Sequence, residues 1–149
     1  MLSSPRHVSL SLALRFVHVL AAVTWLGGML FIALVLVPVS RRLPDADLRL
    51  RLIRDLGTRF RTVGWIAIGV LVLTGLGNLW VRPELLGAPR FHWKVGLVVL
   101  ALALSVLHDF VLGPRAGADV GARRRASWVA RLNVLVVLAV VALGLALRG

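Results

Sequence analysis

Arg15-Phe16-Val17-His18-Val19-Leu20-Ala21-Ala22-Val23-Thr24-Trp25-Leu26-Gly27-Gly28 opens a run that stays apolar to Pro38-Val39 and holds one ionisable group within it, His18. From Phe16 to Val39 this run exceeds the roughly 20 residues that cross a ~30 Å hydrocarbon core at 1.5 Å per residue. Three further segments of that kind follow, at about 63–81, 91–113 and 128–147. The expected fold class is therefore all-α: an integral membrane four-helix bundle running up-down-up-down, as one domain over residues 1–149.

Composition agrees, with 59% hydrophobic and 16% charged residues and a mean hydropathy of +0.91. The lipid bilayer is the first partner expected. The absence of cysteine excludes disulfides, thiolate-held clusters and cysteine nucleophiles, so a metal would need nitrogen, oxygen or one of two methionines. The formal net charge of +12 would suit nucleic acid, but its distribution reads as topology and no nucleic-acid partner is expected. Seven arginines (41, 42, 49, 51, 54, 59, 61) lie in the first connection and five (115, 123, 124, 125, 131) in or beside the third. The other side has six basic residues, Arg6, Arg15, Arg82, Arg90, Lys94 and Arg148. Twelve against six places the first and third connections in the cytoplasm. In a bacterial cell this means a multi-pass inner-membrane protein with both termini periplasmic. The first apolar run is too long for a signal-peptide core and is read as a retained span.

Pro44-Asp45-Ala46-Asp47 supplies a helix start, and Leu48, Leu52, Ile53 and Leu56 recur at helical spacing, which predicts an amphipathic interfacial helix leading into the second span. The second connection is short and punctuated by Pro83 and Pro89. The third, Pro114 to Ser127, is rich in Gly, Ala and Arg and is expected to be the most mobile. No internal repeat stands out.

Ionisable groups inside hydrocarbon are costly and mark functional sites by default. Helical steps from His18 lead to Ala21, Ala22, Trp25, Gly28 and Met29; steps from Lys94 lead to Leu97, Val98, Ala101, Ser105 and His108. On the second span Gly64, Gly75 and Asn78 share a face, with Thr74 beside it. His18 and Lys94 each lie roughly 3–5 Å inside the outer boundary and are expected to share one site. His108, fourteen residues past Lys94, is about 21 Å away along the axis and lies beside Asp109, where the alternatives are a local hydrogen bond and a second site. An imidazole and a second nitrogen donor at matching depth suit a haem cage. Copper competes, with Met29 as a soft donor.

Plainer roles stand beside these. His18 is also an interfacial hydrogen bonder, Lys94 a snorkelling side chain, and His92 either a boundary residue or a substitute ligand. Trp65, Trp80, Trp93 and Trp128 read as belt anchors, and Asn78 and Asn133 as interhelical hydrogen bonders. Arg131 is expected to snorkel, and Arg123 to Arg125 to hold anionic lipid surfaces. No Ser/His/Asp constellation, phosphate loop or carboxylate pair supports hydrolase or nucleotide chemistry.

The segment around His18 closed by Pro38, Leu73-Thr74-Gly75-Leu76-Gly77-Asn78, and Trp93-Lys94-Val95-Gly96 resemble the first, second and third helices of the copper-resistance protein D (CopD) domain. The His-to-Trp spacing and the third-helix lysine are also similar to HemJ-type protoporphyrinogen oxidases, four-helix proteins that bind haem b. Here Gly27-Gly28 continues into aliphatic residues where that family has an aromatic, arginine-containing stretch. The second resemblance implies haem b held by His18 and Lys94; Trp25, Ala22 and Asn78 are the further candidate cofactor-binding residues. The expected function is a haem b-binding redox protein near the periplasmic face, in electron transfer or haem-based oxidoreductase chemistry, with a quinone or redox protein as partner. The alternatives are copper handling, with His18, His92 and Met29 or His7 as donors, and a non-catalytic scaffold; the candidate metal ligands over both metal readings are His18, Lys94 and His92. Many inward glycines favour a homo-oligomer.

Overall fold

The computed structural model describes residues 5–117 and 119–146, with side chains from Ser9 onward, and holds no strand among them. The chain divides into two compact units, Met1–Leu85 and Leu86–Gly149. Each is an antiparallel helical hairpin. In the first, α1 (Pro5–Phe31) passes through a π-helical stretch, Ile32–Leu36, into α2 (Val37–Ser40) and returns as α3 (Ala46–Val81). In the second, α4 (Pro89–Val106) passes through a π-helical stretch, Leu107–Leu112, into α5 (Gly113–Arg115) and returns as α6 (Val120–Ala146).

Four helical segments are long and apolar enough to cross a membrane: Ser9–Ser40, Ala46–Val81, Pro89–Arg115 and Val120–Ala146. Large apolar side chains stand exposed along them, Leu34 at 69% and Leu73 at 71% among them. That is untenable in water and ordinary in lipid. The chain is an all-helical, multi-pass membrane protein.

Two boundaries differ from expectation. The interfacial helix and the second span are one continuous helix of 36 residues, about 54 Å long. The Asp45 carboxylate caps it, accepting from the Asp47 and Leu48 amides at 2.8 and 3.2 Å. No proline interrupts residues 46–81, and a lone Gly57 costs only about 1 kcal/mol, too little to break a helix held by packing. The third connection is also shorter than expected, because α6 already begins at Val120. Asp119 starts it by accepting from the Ala122 amide at 2.6 Å, and the Arg123 guanidinium donates back to the Ala116 carbonyl at 3.4 Å.

The hairpins share a frame that is not apparent from side-chain identity. In each, the residue before a proline donates its amide five residues back: Val37 to Ile32 and Gly113 to His108. Proline has no amide, and its ring collides with the carbonyl four residues earlier, so the helix widens locally just ahead of it. The same shift of 76 positions carries Pro38 to Pro114 and His18 to Lys94. Between the two stretches 18–38 and 94–114, only Val19, Val23, Leu26, Val35, Leu36 and Pro38 find an identical counterpart. An aspartate then opens the returning helix in both cases.

With lipid outside, burial of apolar area does not drive helices together, so close packing and interhelical hydrogen bonds must. In the first hairpin small residues on each helix accept large ones from the other. Leu14 lies 3.3 Å from where a Cβ on Gly77 would stand, Trp25 3.6 Å from that of Gly64, and no Cβ fits on Gly28 without overlapping the Phe60 ring. In the second, Ala101, Leu104 and Ser105 of α4 and Ala126, Asn133, Val136 and Val137 of α6 are buried.

Candidate functional site

His18 lies on α1, half-buried, with its Nδ1 2.8 Å from the Thr74 hydroxyl of α3. The direction of this bond follows from the rest of the geometry. The Thr74 hydroxyl has one proton, and it is directed to the Val70 carbonyl at 2.6 Å, with Leu71 a weaker second acceptor at 3.3 Å. Thr74 therefore accepts, and the His18 Nδ1–H donates. In a neutral ring this bond selects the Nδ1–H tautomer. Gly75, the next residue on α3, lets the ring lie close: the His18 Cε1 is 3.7 Å from where its Cβ would be. One turn on, the Asn78 amide donates to the Thr74 carbonyl at 2.8 Å. Asn78 thus bonds within its own helix here, where an interhelical bond was expected. Ala22, one turn below His18, is half-buried. Trp25 packs over Gly64.

In the second hairpin Lys94 is half-buried on α4, its Nζ 3.4 Å from where a Cβ on Gly144 of α6 would stand. A glycine there makes room for the ammonium stem. One turn earlier the Arg90 guanidinium reaches the Ala146 carbonyl at 3.5 Å, where the end of α6 carries the negative pole of its dipole. His92 is exposed, about 200° around the helix from Lys94. Its Nδ1 donates to the Ala88 carbonyl at 3.3 Å.

His108 bonds Asp109 at 2.9 Å, the local hydrogen bond of the two alternatives. Asn133 reaches across to α4, donating to Ser105 Oγ at 2.9 Å, while Ser105 donates to the Ala101 carbonyl at 2.9 Å. The Arg131 guanidinium stacks 5.4 Å above the Trp128 ring centre. His7 belongs to α1, and its side chain lies outside the described residues. Among the described residues no three His, Asp or Glu side chains converge as a metal-binding group.

The residue that sequence reasoning underrated is Thr74. It stood beside the Gly64, Gly75 and Asn78 face, and its burial opposite His18 was the missing fact. Phe60, filling the notch at Gly28, carried no signal because it lies among arginines before the apolar run begins.

Comparison with known proteins gives a consistent result. The family model for copper resistance protein D matches residues 54–147, most of α3 and the whole second hairpin. An uncharacterised protein of Aquifex aeolicus (strain VF5) is 33% identical over 136 residues, 89% of this chain and 92% of its own length. No solved structure matches the chain.

Proposed function

We propose, from the premise that this chain belongs to the copper resistance protein D family, that it is a haem b-binding redox protein of the bacterial inner membrane with His18 as the principal axial ligand. The observation that carries this reading is the His18–Thr74 bond. A ligating histidine characteristically donates its other ring nitrogen to a fixed acceptor, which sets both tautomer and ring orientation. Thr74 supplies that acceptor, and Nε2 would be the ligating nitrogen. Lys94 is the second nitrogen donor in this proposal, because it takes the register of His18 in its own hairpin, twenty residues ahead of a proline. It would ligate as the neutral amine.

Haem bound here would supply one-electron chemistry, with its potential set by the axial donors and the surrounding dielectric. The protein's own contributions are an oriented imidazole, a backbone brought close by Gly75, and an apolar surround that excludes water. Ala22, Trp25 and Asn78 complete the proposed lining. The twelve basic residues flanking the first and third connections support a cytoplasmic location for that end and a periplasmic one for both termini. A quinone or a redox protein is the proposed electron partner.

Copper handling is the second reading, favoured by the family's description, with His18, His92 and Met29 as donors. An absorption spectrum of detergent-purified protein, air-oxidised and then dithionite-reduced, with metal analysis on the same sample, decides between them. A Soret band with sharp reduced α and β bands, lost in His18→Ala, is the expected result. A colourless protein made under adequate haem supply overturns it, and stoichiometric copper in that sample establishes the second reading.

A further inference from the structure

The second hairpin carries five arginines around its α5–α6 connection, and the structure sorts them. Arg115 donates to the Val111 carbonyl at 3.3 Å and Arg123 to the Ala116 carbonyl at 3.4 Å, both holding the connection itself. Arg131 stacks on Trp128. Arg124 and Arg125 make no hydrogen bond, ion pair or ring contact among the described residues, and both are exposed. These two line a groove of about 680 Å³, whose apolar wall is made by Leu107 and Leu112 of the π-helical stretch and Trp128 and Val129 of α6. The hairpin's two carboxylates do not neutralise them: Asp119 caps α6 and Asp109 pairs with His108.

We infer that this groove is a binding site for an anionic phospholipid, its phosphate held by Arg124 and Arg125 and its acyl chain laid along Leu107, Leu112 and Val129. The argument is one of complementarity. Two guanidiniums present a phosphate-matching fork at the mouth of a surface too apolar for water. An ion without a hydrocarbon tail would leave that wall uncovered, whereas a zwitterionic lipid would leave the arginines unneutralised. An indole at the rim is where a headgroup boundary places one, and basic residues at that boundary recruit anionic lipid. The inference does not depend on the cofactor reading.

The test uses the full chain in phosphatidylcholine vesicles containing a minor fraction of brominated lipid, with tryptophan quenching as readout. Brominated phosphatidylglycerol is expected to quench more than brominated phosphatidylcholine at equal mole fraction, and Trp128→Phe to remove the excess. Arg124→Gln/Arg125→Gln is expected to weaken the phosphatidylglycerol preference about tenfold to thirtyfold, as two basic residues near a membrane surface contribute, while leaving quenching by phosphatidylcholine unchanged. Arg124→Lys/Arg125→Lys retains part of the preference. Equal quenching by the two lipids, or an excess that survives Arg124→Gln/Arg125→Gln, overturns the site. Loss of the excess on adding inorganic phosphate at constant ionic strength overturns lipid as the occupant. Native mass spectrometry of the detergent-solubilised wild type reads the same preference without any variant: phosphatidylglycerol retained over phosphatidylcholine supports the site, and equal retention overturns it.

Discussion

In the first hairpin a hydrogen bond between helices joins His18 to Thr74, twenty residues ahead of Pro38; in the second, one joins Asn133 to Ser105, nine residues ahead of Pro114. The two bonds stand in different settings. Ser105 and Asn133 are buried side chains in the packed centre of a span, and their bond fixes the register of α4 on α6. His18 sits nearer the far end of its span, and its bond to Thr74 uses one of the two ring nitrogens. At the register of Ser105 the first hairpin has Met29, next to the Gly28 notch filled by Phe60, so polarity there is not repeated. At the register of His18 the second hairpin has Lys94, so polarity there is. The shared frame keeps an ionisable nitrogen at one sequence register of both hairpins while most other positions differ, and the proposed ligands are taken from that register.

The comparison breaks most decisively at His18. His18→Ala is expected to abolish the pigment of the purified protein, whereas Lys94→Ala retains a Soret band with altered reduced spectra, since a single histidine still anchors haem. If neither variant changes the spectrum of a pigmented protein, the common register has no common role.

Packing gives the next largest effect. Gly28 has no room for a side chain against Phe60, while Leu104 at the same register of the second hairpin is itself buried. Gly28→Val is expected to destabilise by about 1–3 kcal/mol, the usual cost of overpacking. Phe60→Ala in the same chain should recover much of that loss. Denaturation in mixed micelles measures both, and an undisturbed Gly28→Val midpoint would remove the notch from the account.

Thr74 sharpens the contrast further. Thr74→Val keeps the shape but leaves the His18 Nδ1 without its acceptor, and a fall of about tenfold in cofactor affinity is expected, the lower end of what outer-shell partners of a metal ligand contribute. Thr74→Ser, which keeps the hydroxyl, should restore it. Nitrogen NMR of labelled histidine in the cofactor-free protein reads the same effect directly, as a shift of His18 away from the Nδ1–H tautomer.

Much of this was legible in the sequence, and what was not has a common physical cause. Apolar runs announce spans because length and hydropathy are summed over many residues, so four membrane-crossing helices followed from composition alone. His18 and Lys94 stood out because ionisable groups in such runs are rare. The continuous α3 was hidden by polarity: Arg59 and Arg61 end the hydrophobic signal, yet nothing in residues 57–62 breaks a helix. The repeated frame was hidden because its determinants are single prolines acting on backbone carbonyls four residues away, with side chains between them free to diverge. Thr74 and Phe60 were hidden because a contact across a hairpin depends on rotation of both helices, which amphipathicity fixes in water and lipid leaves almost unmarked.

The smallest expected effect is at Asn133, and it separates the two kinds of interhelical bond. Asn133→Leu removes the donor to Ser105, but Ser105 keeps its own bond to the Ala101 carbonyl, so no hydroxyl proton is stranded. The bond to Ser105 then accounts for about 0.6 kcal/mol of the loss, because the separated helices also find partners for such groups. A midpoint shift of that size in mixed micelles, with the absorption spectrum unchanged, is the expected outcome. A loss of pigment in Asn133→Leu matching that of Thr74→Val would mean that the second hairpin's bond also bears on the pigment, and the division between a structural bond in one hairpin and the proposed ligand-setting bond in the other would fall.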